Sequence, residues 1–333
     1  MTEPSQSIEQ QINAGITEIE TLRNSKVICY VTSDKQPPFA AQIHQDIIPL
    51  FYKQLKKIGK VNKISLFLAS HGGSLEAPWP LVNLIKEYCK NFEVIIPDKA
   101  FSAATLISLG ADEIVMTSRS QLSPIDPAGN FHHNNQQISV QVEDVSGYID
   151  FIKSKMGIVE QESLSEAMKE LTKQVPPTIL GSINRTHAQI RSLAEKLLSL
   201  HNKRFEYEQI KKIITNLTEK LYSHQHHINR NEAKNIVGLD KMVYYANDNE
   251  EDKINSLYEK IRTVMNLDFE LFTLIPNDQS TASTLHMEKA YIKSIYGESL
   301  FKSEYIVKKI TNPGGGAGIN IDIIKEGWVT NLS

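Results

Sequence analysis

Cysteine is scarce in this chain: among 333 residues only Cys29 and Cys89 occur, each in or beside an apolar stretch (VICYV and LIKEYC). That excludes a disulfide scaffold, and the expectation is two buried thiols in a reducing compartment. Long apolar runs are also missing. The longest are strand-sized, far short of the roughly 20 residues a membrane-spanning helix needs. The amino-terminal stretch MTEPSQSIEQQINAGITEIETL has neither the basic nor the apolar segment of a signal peptide. A soluble cytoplasmic chain with no transmembrane segment is expected. Nor does one charge dominate. The 36 Lys+Arg against 39 Asp+Glu leave a net charge of −3, too little for a global field that draws nucleic acid or an anionic membrane. No nucleic-acid partner is expected. No repeat or low-complexity block is present either. With 41 % hydrophobic residues, the length suffices for a sizeable core.

What is present alternates. Ile8, Ile12, Ile16, Ile19 and Leu22 recur at helical spacing, so residues 5–24 predict a helix. Strands are expected at 25–33, 63–70, 92–98 and 112–118. Helical stretches lie between them at 42–58, 75–90 and 102–110. Short β runs alternating with helices argue for an α/β fold with a largely parallel sheet. ISLFLA and VIIP are continuous apolar runs, as strands buried on both faces require. Residues 118–137 are rich in Ser, Pro, Asn and Gly and read as an irregular excursion. Helical patterns dominate from 140 to 265, and the tail from 268 mixes short apolar runs with NPGGGAG.

Two segments, each straight after a buried strand, could carry chemistry. In SHGGSLEA (70–77) the Gly72-Gly73 turn lets backbone N–H groups face a ligand with no side chain in the way. In PDKAFSAATLISLGADEIV (97–115) Ser102 opens a short helix among small residues, its hydroxyl close to free N–H groups. A nucleophile beside oxyanion donors is the equipment of acyl transfer. Ser102 could equally be an ordinary N-cap, and Gly72-Gly73 an ordinary turn or a phosphate loop. His132-His133 and His224, His226 and His227 invite a metal reading. Adjacent histidines rarely share an ion and no acidic or cysteine cluster supports them, so no metal is expected. NPGGGAG lacks the Lys-Ser of a phosphate-binding loop.

The stretches ISLFLASHGGSLEAPWPLVNLIKEY and VIIPDKAFSAATLISLGADEIVMTSRSQLSPIDP resemble the serine dehydrogenase proteinase family. So do RTHAQIRSLAEKLLSLH (185–201) and LTEKLYSHQHHINRNEAKNIVGL (217–239). That family is a branch of the signal-peptide-peptidase-A-like serine peptidases in the ClpP/crotonase superfamily. The resemblance implies a ClpP/crotonase-like βα superhelix, followed by a helical region and a small mixed C-terminal segment. It divides the chain into a helical arm (1–24), a peptidase domain (25–240) and a C-terminal extension (241–333). Ser102 matches the nucleophile, and Gly73 and Ala103 match the residues whose N–H groups form the oxyanion hole. The loop SPIDP holds no His base, and the lysine of the signal-peptide-peptidase type is best matched by Lys153 in SGYIDFIKSKMG (146–157). A peptide or protein substrate, no cofactor and a homo-oligomer are also implied. Gly72, His71 and Asp126 are neighbours of this site, His71 as an orienting group or alternative base and Asp126 as an orienting carboxylate or turn cap.

Three positions depart from the family pattern. Phe101 stands where a lysine or small residue is usual, Ala104 replaces a glycine, and Ser70-His71 replaces Thr-Pro. A site degraded by Phe101 and Ala104 would leave a scaffold or peptide-binding protein, the alternative to a Ser–Lys endopeptidase. An acyl-CoA enzyme of the crotonase branch would need carboxylates that neither segment carries. Whether the C-terminal extension is a lid, an oligomerisation arm or a partner-binding tail stays open.

Overall fold

A computed structural model of the chain describes residues 7–125, 128–133, 136–141, 147–202, 205–220, 226–268, 282–311 and 317–332. The elements run α1 (Ile8–Arg23), β1 (Lys26–Thr32), α2 (Ile48–Ile58), β2 (Val61–Ala69), α3 (Pro78–Lys86), β3 (Cys89–Ile96), β4 (Lys99–Ala100), α4 (Ala103–Leu109), β5 (Glu113–Met116) and β6 (Gln121–Leu122). A hairpin of β7 (Ala128–His133) and β8 (Gln136–Gln141) follows, then α5 (Gln161–Gln174), α6 (Pro177–Leu198), α7 (Tyr207–Thr215), β9 (Ile228–Asn229), β10 (Val243–Tyr245) and α8 (Asp248–Val264). Three long strands, β11 (Ala282–Ser294), β12 (Gly297–Thr311) and β13 (Ala317–Leu332), end the chain.

One sheet of eight strands organises the molecule, in the order β10-β5-β3-β2-β1-β11-β12-β13. From β10 to β1 every pair is parallel; β11, β12 and β13 add antiparallel strands beyond β1. Alternate side chains of β1 serve two cores. Ile28 and Tyr30 face a layer that includes Phe51 of α2, Leu81 of α3, Leu106 of α4 and Leu197 of α6. Val27, Cys29 and Val31 face Ile12 and Ile16 of α1 and Leu257 of α8. Burial on both faces is why these strands read as unbroken apolar runs. The expected α/β architecture with a largely parallel sheet is therefore the one observed.

Local chemistry sets the ends. Ser7 and Gln10 form a reciprocal capping box at the start of α1, and Asn24 ends it in the left-handed region with φ 47°. Within the sheet, Glu93 is fully buried and bonded to Arg23, to Lys63 at 2.6 Å and to the Ser65 hydroxyl at 2.7 Å. These contacts tie α1 to β2 and β3. The 118–137 stretch is less irregular than its composition suggests: β6 and the β7–β8 hairpin lie within it or begin there, paired locally. The tail is likewise more regular than its short apolar runs suggest, forming a meander that joins the main sheet through β11.

Candidate active site

The site forms at the carboxyl ends of the parallel strands, where β2 and β3 release their chains side by side. Ser70 bridges Ala100 in parallel: its N–H donates to the Lys99 carbonyl at 2.8 Å, and the Phe101 N–H donates to its carbonyl at 2.9 Å. Beyond Ser70 the chain turns through Gly72 (φ 97°) and Gly73 (φ 155°). Neither position admits a side chain. A Cβ on Gly72 would lie 2.5 Å from the Phe101 carbonyl oxygen and 2.9 Å from the Ser102 Cβ, and one on Gly73 would lie 2.5 Å from the Ile43 nitrogen. The glycine pair thus exists to bring backbone against the Ser102 turn on one side and Ile43 on the other.

The pairing with Ile43 leaves one N–H unused. Ile43 donates to the Gly72 carbonyl and accepts from the Ser74 N–H, both at 2.8 Å. Such a bridge turns the N–H of Gly73, the residue between, to the opposite side. Ala103 opens α4, where an N–H has no intrahelical acceptor. Neither N–H has a partner among the described residues. Both residues expected to donate to an oxyanion are therefore free to do so.

Ser102 sits in a strained backbone conformation, φ 51° and ψ −110°, close to the first central residue of a type II′ turn, which ordinarily takes glycine. The Ala104 N–H closes that turn on the Phe101 carbonyl at 2.9 Å. The strain is held by neighbours that the sequence did not mark. Ser123 accepts the Ser102 N–H on its hydroxyl at 2.8 Å and donates that hydroxyl to the Pro124 carbonyl. Thr105 donates to the Ala100 carbonyl and accepts from the Ser123 N–H. Ser102 stands at the N-cap position of α4, but its hydroxyl makes no cap hydrogen bond to the helix. Ala104 is fully buried in the core, its methyl packed among apolar neighbours.

His71 and Phe101 meet beside this turn. Their rings stack 5.4 Å apart at 17°, and His227 packs on Phe101 at 5.0 Å and 35°. Burial of the His71 ring, with Lys99 nearby, holds its pKa below the ordinary histidine range; Asp34 and Asp98 oppose this, and His227 adds to it. His226 pairs instead with Glu232 at 2.7 Å. Cys29 is fully buried and Cys89 partly so. Burial raises both thiols, Cys89 to about 11, so neither offers a thiolate nucleophile at neutral pH.

Lys153 lies on the helical turn Phe151–Lys155, next to the buried Ile152, and is itself exposed. Among the described residues it has no hydrogen-bond or ion-pair partner, and it is not bonded to Ser102. Asp126 and His224 lie outside the described residues; so do the His132 and His133 side chains, although their backbone lies in β7. Among the described residues, no group of three or more His, Cys, Asp or Glu is placed to hold a metal ion. No helix among them is long and apolar enough to cross a membrane.

Proteins similar to this chain occur among known sequences and solved structures. The uncharacterized protein MJ1495 of Methanocaldococcus jannaschii is 22 % identical over 226 residues, 66 % of this chain and 68 % of that protein. MJ0137 of the same organism is 32 % identical over 75 residues, 22 % of this chain and 26 % of its own. Among solved structures, a mutant of the membrane-bound stomatin-specific protease 1510-N aligns with a TM-score of 0.37 and 19 % identity, over 64 % of this chain and 79 % of that one. ClpP1 from Listeria monocytogenes aligns at 0.37 and 18 %, over 70 % and 98 %. The profile of the ClpP-like SDH-type serine proteinases matches residues 4–266. That span takes in the Gly72-Gly73 loop, the Ser102 turn, Ser123, Lys153 and His227, and the chain belongs to the family of ClpP-like SDH-type serine proteinases.

Proposed function

We propose that this chain is a serine endopeptidase in which Ser102 is the nucleophile. The observation that carries this is the strained turn at Ser102, which presents an uncapped hydroxyl beside the Gly72-Gly73 loop. Lys153, neutral, takes the Ser102 proton as Oγ attacks the scissile carbonyl carbon. The N–H groups of Gly73 and Ala103 hold the oxyanion. As the C–N bond breaks, Lys153 returns that proton to the leaving amine. Water then hydrolyses the acyl-serine by the same steps, with Lys153 again taking and returning the proton.

Lys153 is a base near neutral pH only when it is desolvated or set beside another cation. It shares its segment with Phe151, Met156 and Val159, all exposed, and α5 beyond it buries no residue at all. Those apolar groups support a homo-oligomer in which this region is covered and the lysine dehydrated. The exposure of Lys153 in the single chain favours a second reading, a scaffold that binds peptides without cleaving them.

Covalent labelling separates the two. A small serine-directed electrophile, followed by intact mass across pH 6–10, is expected to modify the wild type once. Labelling is expected to vanish in Ser102→Ala and in Lys153→Ala. A folded wild type that is never modified, with a probe shown to enter the assembly, supports the scaffold.

A further inference from the structure

The ring stack beside the nucleophile joins three parts of the chain that are distant in sequence. His71 comes from the loop after β2 and Phe101 from the residue before Ser102. His227 comes from the residue that leads into β9, whose pairing with β6 (Leu122 opposite Ile228) fixes where it lies. Phe101 contacts two imidazoles with its ring, His71 stacked at 5.4 Å and His227 tilted at 5.0 Å. Its backbone is committed at the same time: the N–H donates to Ser70 and the carbonyl closes the turn on Ala104. One residue thus carries both the ring that two imidazoles contact and the carbonyl that closes the Ser102 turn.

We propose that His227 is a positioning residue for Ser102, closing the His71–Phe101–His227 stack and so holding the strained turn against the Gly72-Gly73 loop. A residue with positive φ persists only when its surroundings over-determine it. Ser123 restrains the Ser102 N–H from one side, and the stack restrains the preceding residue from the other. His227 itself is exposed and bonds to neither Ser102 nor the Gly72-Gly73 loop, so it acts through Phe101. Because the contact is one between rings with no hydrogen bond in it, another aromatic side chain at 227 does the same work, whereas a small one does not.

The test compares His227→Ala, His227→Phe and Phe101→Leu with the wild type in two measurements. The first is hydrogen–deuterium exchange of the peptide spanning residues 98–106, which needs no activity. The second is the rate of Ser102 modification by a serine-directed electrophile, resolved into probe affinity and the rate of the bonding step. An aromatic pair contributes enough that His227→Ala should speed exchange at the turn, and slow the bonding step, by roughly three- to tenfold, with probe affinity unchanged. His227→Phe should restore both within about twofold. Phe101→Leu should match His227→Ala, and the double variant should be no worse than either single one. Unchanged exchange in His227→Ala overturns the proposal, as does a folded His227→Phe as impaired as His227→Ala. The kinetic half rests on the hydrolase reading. A wild type never modified by an electrophile that enters the assembly would overturn that reading alone, while exchange at 98–106 would still decide whether His227 holds the turn.

Discussion

The Ser123 hydroxyl accepts a hydrogen bond from the N–H of Ser102 at 2.8 Å and donates one to the Pro124 carbonyl. That one hydroxyl fixes the amide of a residue whose φ of 51° is unfavourable for any side chain. Ser123→Ala leaves the Ser102 N–H without its acceptor in a partly buried place, at a cost of about 1–3 kcal/mol. The turn then has a reason to relax toward ordinary dihedrals, moving the hydroxyl away from the Gly72-Gly73 loop. The expected outcome is a small fall in melting temperature with a fall of about tenfold or more in Ser102 labelling. A variant less stable but labelled at the wild-type rate would show that Ser123 supports the fold and not the nucleophile.

Gly72 is the most constrained glycine of the site. With φ at 97° and the Phe101 carbonyl 2.5 Å from a would-be Cβ, alanine there collides with backbone, which cannot step aside as a flexible side chain can. Strain of this kind costs on the order of 1–3 kcal/mol before the clash is added. Gly72→Ala should therefore destabilise the chain and push the Ser102 turn away from the loop, abolishing labelling. Gly59→Ala is the matched control: its φ is also positive, at 74°, but nothing lies within 4 Å of its would-be Cβ. Equal losses of labelling in the two would assign the effect to backbone strain alone.

These two residues differ in how plainly the sequence shows them. A Gly-Gly pair at the end of a buried apolar run can be read directly, because only glycine serves where two backbones touch. Ser123 cannot: a serine before proline is an ordinary turn signal, and its acceptor role depends on β6 pairing with β4. His227 is hidden for the same reason, standing in a polar His-rich stretch whose placement is decided by β9. The parallel strands were legible because burial on both faces makes them uniformly apolar. The long terminal strands were not. β12 carries Lys302 and Glu304 before its buried Tyr305 and Lys308 and Lys309 after its buried Val307, and β11 buries Lys289 and Lys293 against Glu326, Glu9 and Glu298. Paired charges inside a strand erase the alternation by which a strand is recognised.

Glu93 should dominate the acid sensitivity of the fold. Burial alone would raise its carboxyl, but Arg23 and Lys63 reverse this and hold it below the ordinary carboxylate range. A carboxylate depressed in the folded state contributes stability above its unfolded value of about 4.5, and loses it as pH falls through the folded value. Glu93→Gln leaves Arg23 and Lys63 facing an uncharged group; because Glu250 and Glu113 still pair with them, the loss should fall below the roughly 3–5 kcal/mol of an uncompensated buried charge. Urea unfolding of wild type and Glu93→Gln should therefore differ most above pH 5 and converge toward pH 3. Parallel curves across that range would mean that Glu93 contributes shape and not charge.

His71 should be neutral at pH 7, since burial and Lys99 outweigh Asp34 and Asp98 in setting its proton affinity. Its C2 proton resonance, assigned with His71→Gln, is expected to titrate below about 6.5, the value for a free imidazole. Lys99→Gln should move that titration upward by removing a cation. Folding then binds fewer protons at His71 than the unfolded chain does, so its contribution to stability is full above about 6.5 and falls as pH drops below it. An ordinary titration unaffected by Lys99→Gln would leave the histidine outside the electrostatics of the site.

In the proposed mechanism the base is Lys153, which is exposed in the single chain. A lysine accepts a proton from a serine only as the neutral amine, the form that removal of water favours. Association that covers Phe151, Met156 and Val159 would remove water from the same turn, favouring the neutral amine. Labelling of Ser102 per chain should then fall on dilution through the association range, in step with the loss of oligomer measured by light scattering. Val159→Glu is the direct probe, because Val159 is 69 % exposed in the single chain and its replacement should cost the monomer little. It should lower both association and labelling, and raising the protein concentration should recover both together. Labelling independent of concentration, in a protein that does dissociate, would mean that Lys153 is activated within one chain or that another group takes the proton.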